Sequence, residues 1–210
     1  GSGGSVWLTA GKLTGSGLIR AHGGNIGGHT CGGGGRISLK VTGAGADFSE
    51  FLGSITAYGG KIGTSTTRAG AGTVYLETAS DAPGRGELVV DNDKSLIGLS
   101  YNPNYYVNTS LNDWEPVTYE FGRITVTNHG VLILTSNATL IATNTIFRGD
   151  PSRVHDGIQI VGGRMIVPDT FAFSDFFIRI ARHWVSRSYV TGGVVVDAEP
   201  DFRVKTLLTI

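Results

Sequence analysis

The sequence predicts an all-β chain wound as a right-handed parallel β-helix with a loop insertion, and three observations predict it. A glycine followed by an alternating apolar strand, Gly4-Ser5-Val6-Trp7-Leu8, returns as Gly35-Arg36-Ile37-Ser38-Leu39 and as Gly72-Thr73-Val74-Tyr75-Leu76. A second unit, Gly17 to Gly27, returns 36 positions on as Gly53 to Gly63, with Leu18/Ser54, His22/Tyr58 and Asn25/Lys61 the mismatched pairs. The segments between strands are too rich in glycine to form the helices that parallel α/β crossovers use. A fixed repeat of this kind marks stacked coils. Handedness follows from the strong preference of parallel crossovers.

The elements follow in order. Residues 1–91 read as glycine-rich coils, in which Ile19, Ile37, Ile55 and Val74 are separated by 18, 18 and 19 residues. That step predicts a coil length and an inward ladder of these four residues. By alternation Lys40 falls on the face opposite Ile37 and Leu39, so Asp is expected to be tolerated there and not at Ile37. Gly23-Gly24 and Gly59-Gly60 are expected to turn coil corners. Gly32 to Gly35 is either extended polyglycine packed on a coil or a mobile loop beside Cys31. The phenylalanines of Asp47-Phe48-Ser49-Glu50-Phe51 are expected to plug one end of a coil. Residues 78–86 are a loop by composition and Glu87 to Asp91 a strand.

Residues 92–121 break the repeat and are expected to project as an aromatic, Asn-rich insertion. Periodicity resumes with Gly122-Arg123-Ile124-Thr125-Val126 and continues in further coils over 122–210. Ile124, Leu132 and Leu140 step by eight, about one side of a three-sided coil of roughly two dozen residues. Asn128, Asn137 and Asn144 are placed at its corners, since Asn tolerates left-handed backbone. Strands follow at 157–161, 164–167, 177–180, 193–196 and 202–205, and helix signals are nearly absent. The last residues, Thr206 to Ile210, leave an apolar end for another element to cover.

Composition narrows the functional classes. The chain has 210 residues, a formal net charge of +0, 16% charged residues and one cysteine. It reads as one domain, 1–210. Neutral balance without a Lys/Arg cluster argues against nucleic acid and anionic membranes. One cysteine excludes an internal disulfide, and no apolar run approaches the roughly 20 residues of a membrane span. The chain opens on Gly1-Ser2-Gly3-Gly4 with no signal peptide, as expected of a fragment of a longer protein.

The runs GGSVWLTAGKLTGSGLIRAHGG, GGGGRISLKVTGAGADF, GSITAYGG and AGAGTVYLET resemble glycine-rich parallel β-helix segments of large secreted bacterial surface proteins, over about residues 3–78. The later FGRITVTNHGVLILTSNATLIA is similar to coils of bacterial adhesins and pectin-lyase-like proteins. The resemblance implies an extracellular or cell-surface, fibre-forming or adhesive module, often without enzymatic activity. It fixes no catalytic residue and implies no cofactor. The expected partners are neighbouring coils of the same protein, self-association at uncapped ends, and cell-surface carbohydrate.

Several constellations bear chemistry. Tyr101, Tyr105, Tyr106, Trp114 and Tyr119 are the candidate ligand-binding residues, because aromatics on polar loops stack on sugar rings or anchor a protein partner; the plain alternative is a loop packed on the coil flank. A polysaccharide-active lyase or hydrolase is the rival function. It would use Asp150, Arg153, His155 and Asp156 as acid, base and anchoring cation, against the alternative of a solvated turn begun by Asp150-Pro151. Arg179, Arg182, His183, Trp184 and Arg187 would suit an acidic sugar or form a polar outer face. Asp91-Asn92-Asp93-Lys94 lacks the glycine and distant Glu of a calcium loop. His22, His29 and Cys31 lack a fourth zinc ligand. No metal site is therefore assigned. The sequons at Asn108 and Asn137 matter only in a eukaryotic source.

Overall fold

The computed structural model describes the chain except for residues 26–30, 62, 64–67, 95–108, 112–114, 136, 149–156, 168–169, 175–176, 182–192, 197–201, 205–206 and 210; for 144–148 and beyond 167 it describes backbone alone. Among the described residues there is no helix, and the chain is all-β with a large, mostly parallel sheet.

The repeated units become the first five strands: β1 (Ser5–Ala10), β2 (Leu18–Arg20), β3 (Arg36–Val41), β4 (Ser54–Thr56) and β5 (Thr73–Glu77). β1, β3 and β5 pair in parallel, and β2 pairs in parallel with β4 in a separate two-stranded sheet. Ile37 thus lies between Val6 and Val74, and Ile19 lies against Ile55. The 36-residue offset of the second unit is the β2–β4 register. The expected four-residue ladder is corrected: Ile19 does not stack in register on Ile37. Ser5 meets Arg36 and Arg36 meets Thr73, so successive strands of the large sheet return after 31 and then 37 residues, not 18. The 18-residue step alternates between two sheets, with β3 and β5 in one and β2 and β4 in the other. Both walls pack into one cluster of Ile37, Leu39, Val74, Ala21 and Ala57, with Ile19, Ile55 and Phe48 against it.

The glycine runs join these strands and their connections by backbone contact. Gly3 N–H donates to Gly33 O (2.8 Å) and Gly34 N–H to Gly70 O (2.8 Å), stacking segment on segment. Across the coil, Gly35 N–H donates to Ala21 O (2.7 Å), Gly72 N–H to Ala57 O (2.6 Å) and Gly60 N–H to Gly32 O (2.8 Å). Backbone hydrogen bonds therefore run in two directions among these segments. A Cβ on Gly35 would lie 1.9 Å from Gly4 O, and one on Gly59 2.1 Å from Ala69 O. Gly23-Gly24 and Gly59-Gly60, expected to turn corners, have no positive φ, and a Cβ on Gly23, Gly59 or Gly60 would meet the backbone of another segment. Of the two expectations for residues 32–35, packed extended chain is the one observed.

The second half adds β6 (Glu87–Asp91), β7 (Thr109–Leu111), β8 (Val117–Thr127), β9 (Val131–Thr135), β10 (Ala138–Arg148), β11 (Gly157–Val161), β12 (Arg164–Val167), β13 (Thr170–Ser174), β14 (Phe177–Ala181), β15 (Gly193–Val196), β16 (Phe202–Val204) and β17 (Leu207–Thr209). The large sheet runs β1-β3-β5-β6-β8-β10-β12-β16, with β13 and β17 off this path. A parallel five-stranded sheet runs β15-β14-β11-β9-β7. The 92–121 stretch, expected to project, contributes β7 and the first part of β8 to these sheets. Ala138 lies opposite Val117, 21 residues earlier, and Gly157 opposite Val131, 26 earlier, bracketing the expected two dozen. Ile124, Leu132 and Leu140 fall on β8, β9 and β10 in turn. Asn128 has the positive φ expected at a corner (51°). Asn144 lies inside β10 opposite Arg123. There the inward parity of β8 changes from Tyr119 and Phe121 to Ile124 and Val126.

One pair reverses direction. β5 and β6 are antiparallel, with Val74 opposite Val89 and Tyr75 opposite Leu88. Opposed residues project to the same face. Val74 and Val89 thus share the face of the first cluster, while Leu88 belongs to a second cluster with Val90, Ile124, Leu132, Leu140 and Ile158. The core lies on one face of the sheet up to β5 and on the other from β6 onward.

Candidate functional site

Alternation that buries Val6, Ile37 and Val74 turns Trp7, Ser38 and Tyr75 to the opposite face, where they form one row across three strands. Trp7 is 85% exposed. Tyr75 leans on Phe121, ring centroids 6.0 Å apart and tilted 53°. Arg36 and Thr73 stand beside this row, opposite each other in the β3–β5 ladder. Where the first core ends and the second begins, the same face opens into a cavity of about 420 Å³. Arg36, Thr73, Tyr75, Leu88, Tyr119 and Phe121 line it, with Gly33 to Gly35 and with Gly70, Ala71 and Gly72. Arg36 has no ion-pair partner among the described residues.

Tyr75 is held in place by a lock around Glu77. Its hydroxyl donates to Glu77 Oε2 (2.6 Å) and accepts from the Gly86 amide (2.9 Å), and the Gly84 amide donates to the same carboxylate oxygen (3.0 Å). Lys40 pairs with Glu77 Oε1. Burial and the neighbouring carboxylate push the Tyr75 hydroxyl up to about 12, so it stays a neutral donor. Burial alone would raise Glu77, but Lys40, Tyr75 and Gly84 together hold it below the usual range. The lock ties the 78–86 loop to the β5–β6 reversal. It also corrects the expectation for Lys40: this outward residue neutralises a buried carboxylate and is not free to become Asp.

A second polar column climbs the opposite flank. His22 stacks on Tyr58 at 4.9 Å and its Nε2 meets Thr56 Oγ1 at 2.7 Å. Arg68 lies over the Tyr58 ring at 5.1 Å, donates to Gly59 O (2.9 Å) and pairs with Asp93. Burial and the nearby Arg20 and Arg68 lower the His22 pKa. Asp91 accepts from the Asp93 amide (2.8 Å) and from Asn128 Nδ2 (3.0 Å) while burial raises it. The carboxylates of Asp91-Asn92-Asp93-Lys94 are thus engaged by protein N–H donors.

Of the aromatic candidates, Tyr119 lies in β8, half-buried and facing the cavity. Tyr101, Tyr105, Tyr106 and Trp114 lie outside the described residues, as do Asp150, Arg153, His155 and Asp156. So do His29, Arg182, His183, Trp184 and Arg187; Arg179 is placed in β14 opposite Gln159 and Val195. Cys31 is a half-buried free thiol. Sequence reasoning missed Trp7, Arg36 and Tyr75. The signal was a bulky aromatic at the outward position of two Gly-x-apolar-x-apolar units, where alternation calls for a small polar residue. No protein-family model matches the chain, and neither do any curated protein or any solved structure.

Proposed function

We infer that the chain is a right-handed parallel β-helix serving as a secreted, non-catalytic structural or adhesive module of a cell-surface or fibre protein. The observation that carries this reading is the two-directional backbone bonding of the glycine segments, which makes the N-terminal coils a stiff stack whose sequence serves shape. Part of the described carboxylate chemistry agrees: Glu50, Glu77, Glu87, Asp93 and Glu120 are each drawn into an ion pair, and Asp47, Asp81 and Asp91 accept hydrogen bonds from protein donors. Right-handed winding follows from the preference of parallel crossovers. At the N-terminal end β1 is an edge strand with Leu8 and Leu18 exposed beside it, a surface suited to a further coil.

Incubation with neutral and acidic polysaccharides tests the reading. The expected result is attachment to polysaccharide-bearing surfaces with no new reducing ends and no unsaturated uronates. Release of either product would establish the lyase or hydrolase alternative instead.

A further inference from the structure

We propose that the outward face of β1, β3 and β5 is a binding strip for an extended anionic glycan, with Trp7 and Tyr75 as stacking platforms and Arg36 as the carboxylate anchor. The inference rests on reading the chain as an adhesive module, and it names the ligand class and the residues that reading leaves open.

Four observations carry it. First, Trp7 is 85% exposed at an outward position. A further coil added to β1 would pair with its edge, in the plane of the sheet, whereas the indole projects perpendicular to that plane. Coil stacking therefore covers Leu18 and Leu8 without accounting for Trp7.

Second, Trp7 and Tyr75 are in register with Ser38 between them. Two strand spacings separate their backbones, about 10 Å. Every second ring of an extended β-1,4-linked ribbon presents the same apolar face at a comparable interval. A small hydroxyl residue between the two platforms leaves room for the intervening ring and offers it a hydrogen bond. Aromatic rings suit the apolar face of a pyranose because they bury large area with few torsions to freeze.

Third, the strip runs into the cavity of about 420 Å³ that Tyr75, Tyr119 and Phe121 share with bare glycine backbone. That volume is within the usual range of small-ligand sites. Glycine segments without side chains let a flat ring approach the peptide planes directly.

Fourth, the charge is selective. Lys40 on the same face is consumed by Glu77, while Arg36, which lines the cavity diagonal to Trp7, has no ion-pair partner among the described residues. A planar guanidinium forks onto a carboxylate through two parallel hydrogen bonds. A uronic acid residue seated beside Tyr75 would complete that pair.

The test is calorimetric titration of the 210-residue chain with hexamers of β-1,4-linked glucuronic acid, and with β-1,4-linked glucose hexamers as the neutral control. The acidic hexamer is expected to bind more tightly than the neutral one. Arg36→Gln should remove that difference, and Trp7→Ala should weaken both by about tenfold, the scale of one stacked ring. Both side chains are exposed, so neither variant should shift the unfolding midpoint. Equal affinity for the two hexamers, or unchanged affinity in both variants, would overturn the proposal. A chain that attaches to surfaces yet ignores both hexamers overturns this inference and leaves the module reading standing. Hexamer binding accompanied by new reducing ends supports the strip and overturns the non-catalytic reading.

Discussion

Lys40 stands directly opposite Glu77 in the β3–β5 ladder, and its ammonium pairs with a carboxylate whose side chain is only 6% exposed. Replacing Lys40 by Asp removes the neutralising charge and sets a second carboxylate against the first. The expected loss is about 2–4 kcal/mol, the cost of stranding a buried charge, reduced by the partial exposure of the lysine end. Lys40→Met should cost less, because it strands Glu77 without adding repulsion. Urea denaturation of both variants against the unsubstituted chain measures the two costs, and midpoints equal to that chain's would mean the Lys40–Glu77 pair contributes nothing.

Ile37→Asp places an unpaired carboxylate between Val6 and Val74. A loss of about 3–5 kcal/mol is expected from the lost burial and the desolvated charge. Each coil contacts its neighbours, so hydrogen exchange should quicken first in β1 and β5 and last in β9 and β11. Uniform quickening would contradict the separation of the two cores.

Two adjacent coils give a contrasting glycine pair. Gly35→Ala drives a methyl to 1.9 Å from the Gly4 carbonyl oxygen, and backbone must move to admit it. Gly4→Ala meets nothing within 4 Å. The first should cost about 2–4 kcal/mol and the second less than about 0.5 kcal/mol. Thermal unfolding of the two variants suffices to rank them.

His22 links stability to pH. Burial and the cations Arg20 and Arg68 lower its pKa in the fold, so the unfolded chain takes up the proton first as pH falls. Stability should therefore be fully present above the unfolded value near 6.5 and decline as pH drops from there toward the folded pKa. His22→Gln should flatten that limb of the stability profile between about pH 7 and 5. An unchanged slope in the variant would assign the effect to another group.

The sequence made the units and the 36-residue register legible, because Ile19, Ile55 and their flanking glycines repeat together. It misassigned the coil length because inward residues of two facing walls share one alternation, and spacing alone does not say which wall a strand joins. Gly23 and Gly59 were read as corners because composition cannot separate a glycine that turns from one that another backbone approaches. The reversal at β5–β6 was hidden for a related reason: 78–86 is plainly a loop, but direction is decided by Tyr75, Glu77, Gly84 and Gly86 closing on one another. Tyr119, which lines the cavity, stands out in the sequence because it sits among other aromatics. Trp7 was passed over because it sits inside a motif already explained as a strand.

The passage of the core from one face of the sheet to the other also has a mechanical side. Ile37 and Leu39 pack without help from Ile124 or Leu140, and the seam between the two groups includes a short antiparallel pair with three opposed residue pairs, one carboxylate clasp, the Arg68–Asp93 ion pair and the Tyr75–Phe121 contact. Under tension that seam is expected to part first, with Ile37 and Leu39 on one side and Ile124 and Leu140 on the other keeping their own neighbours. Pulled from its ends under an optical trap, the chain is expected to lengthen in two events of unequal force, the clasp setting the first, so that strain is released in part before the whole gives way.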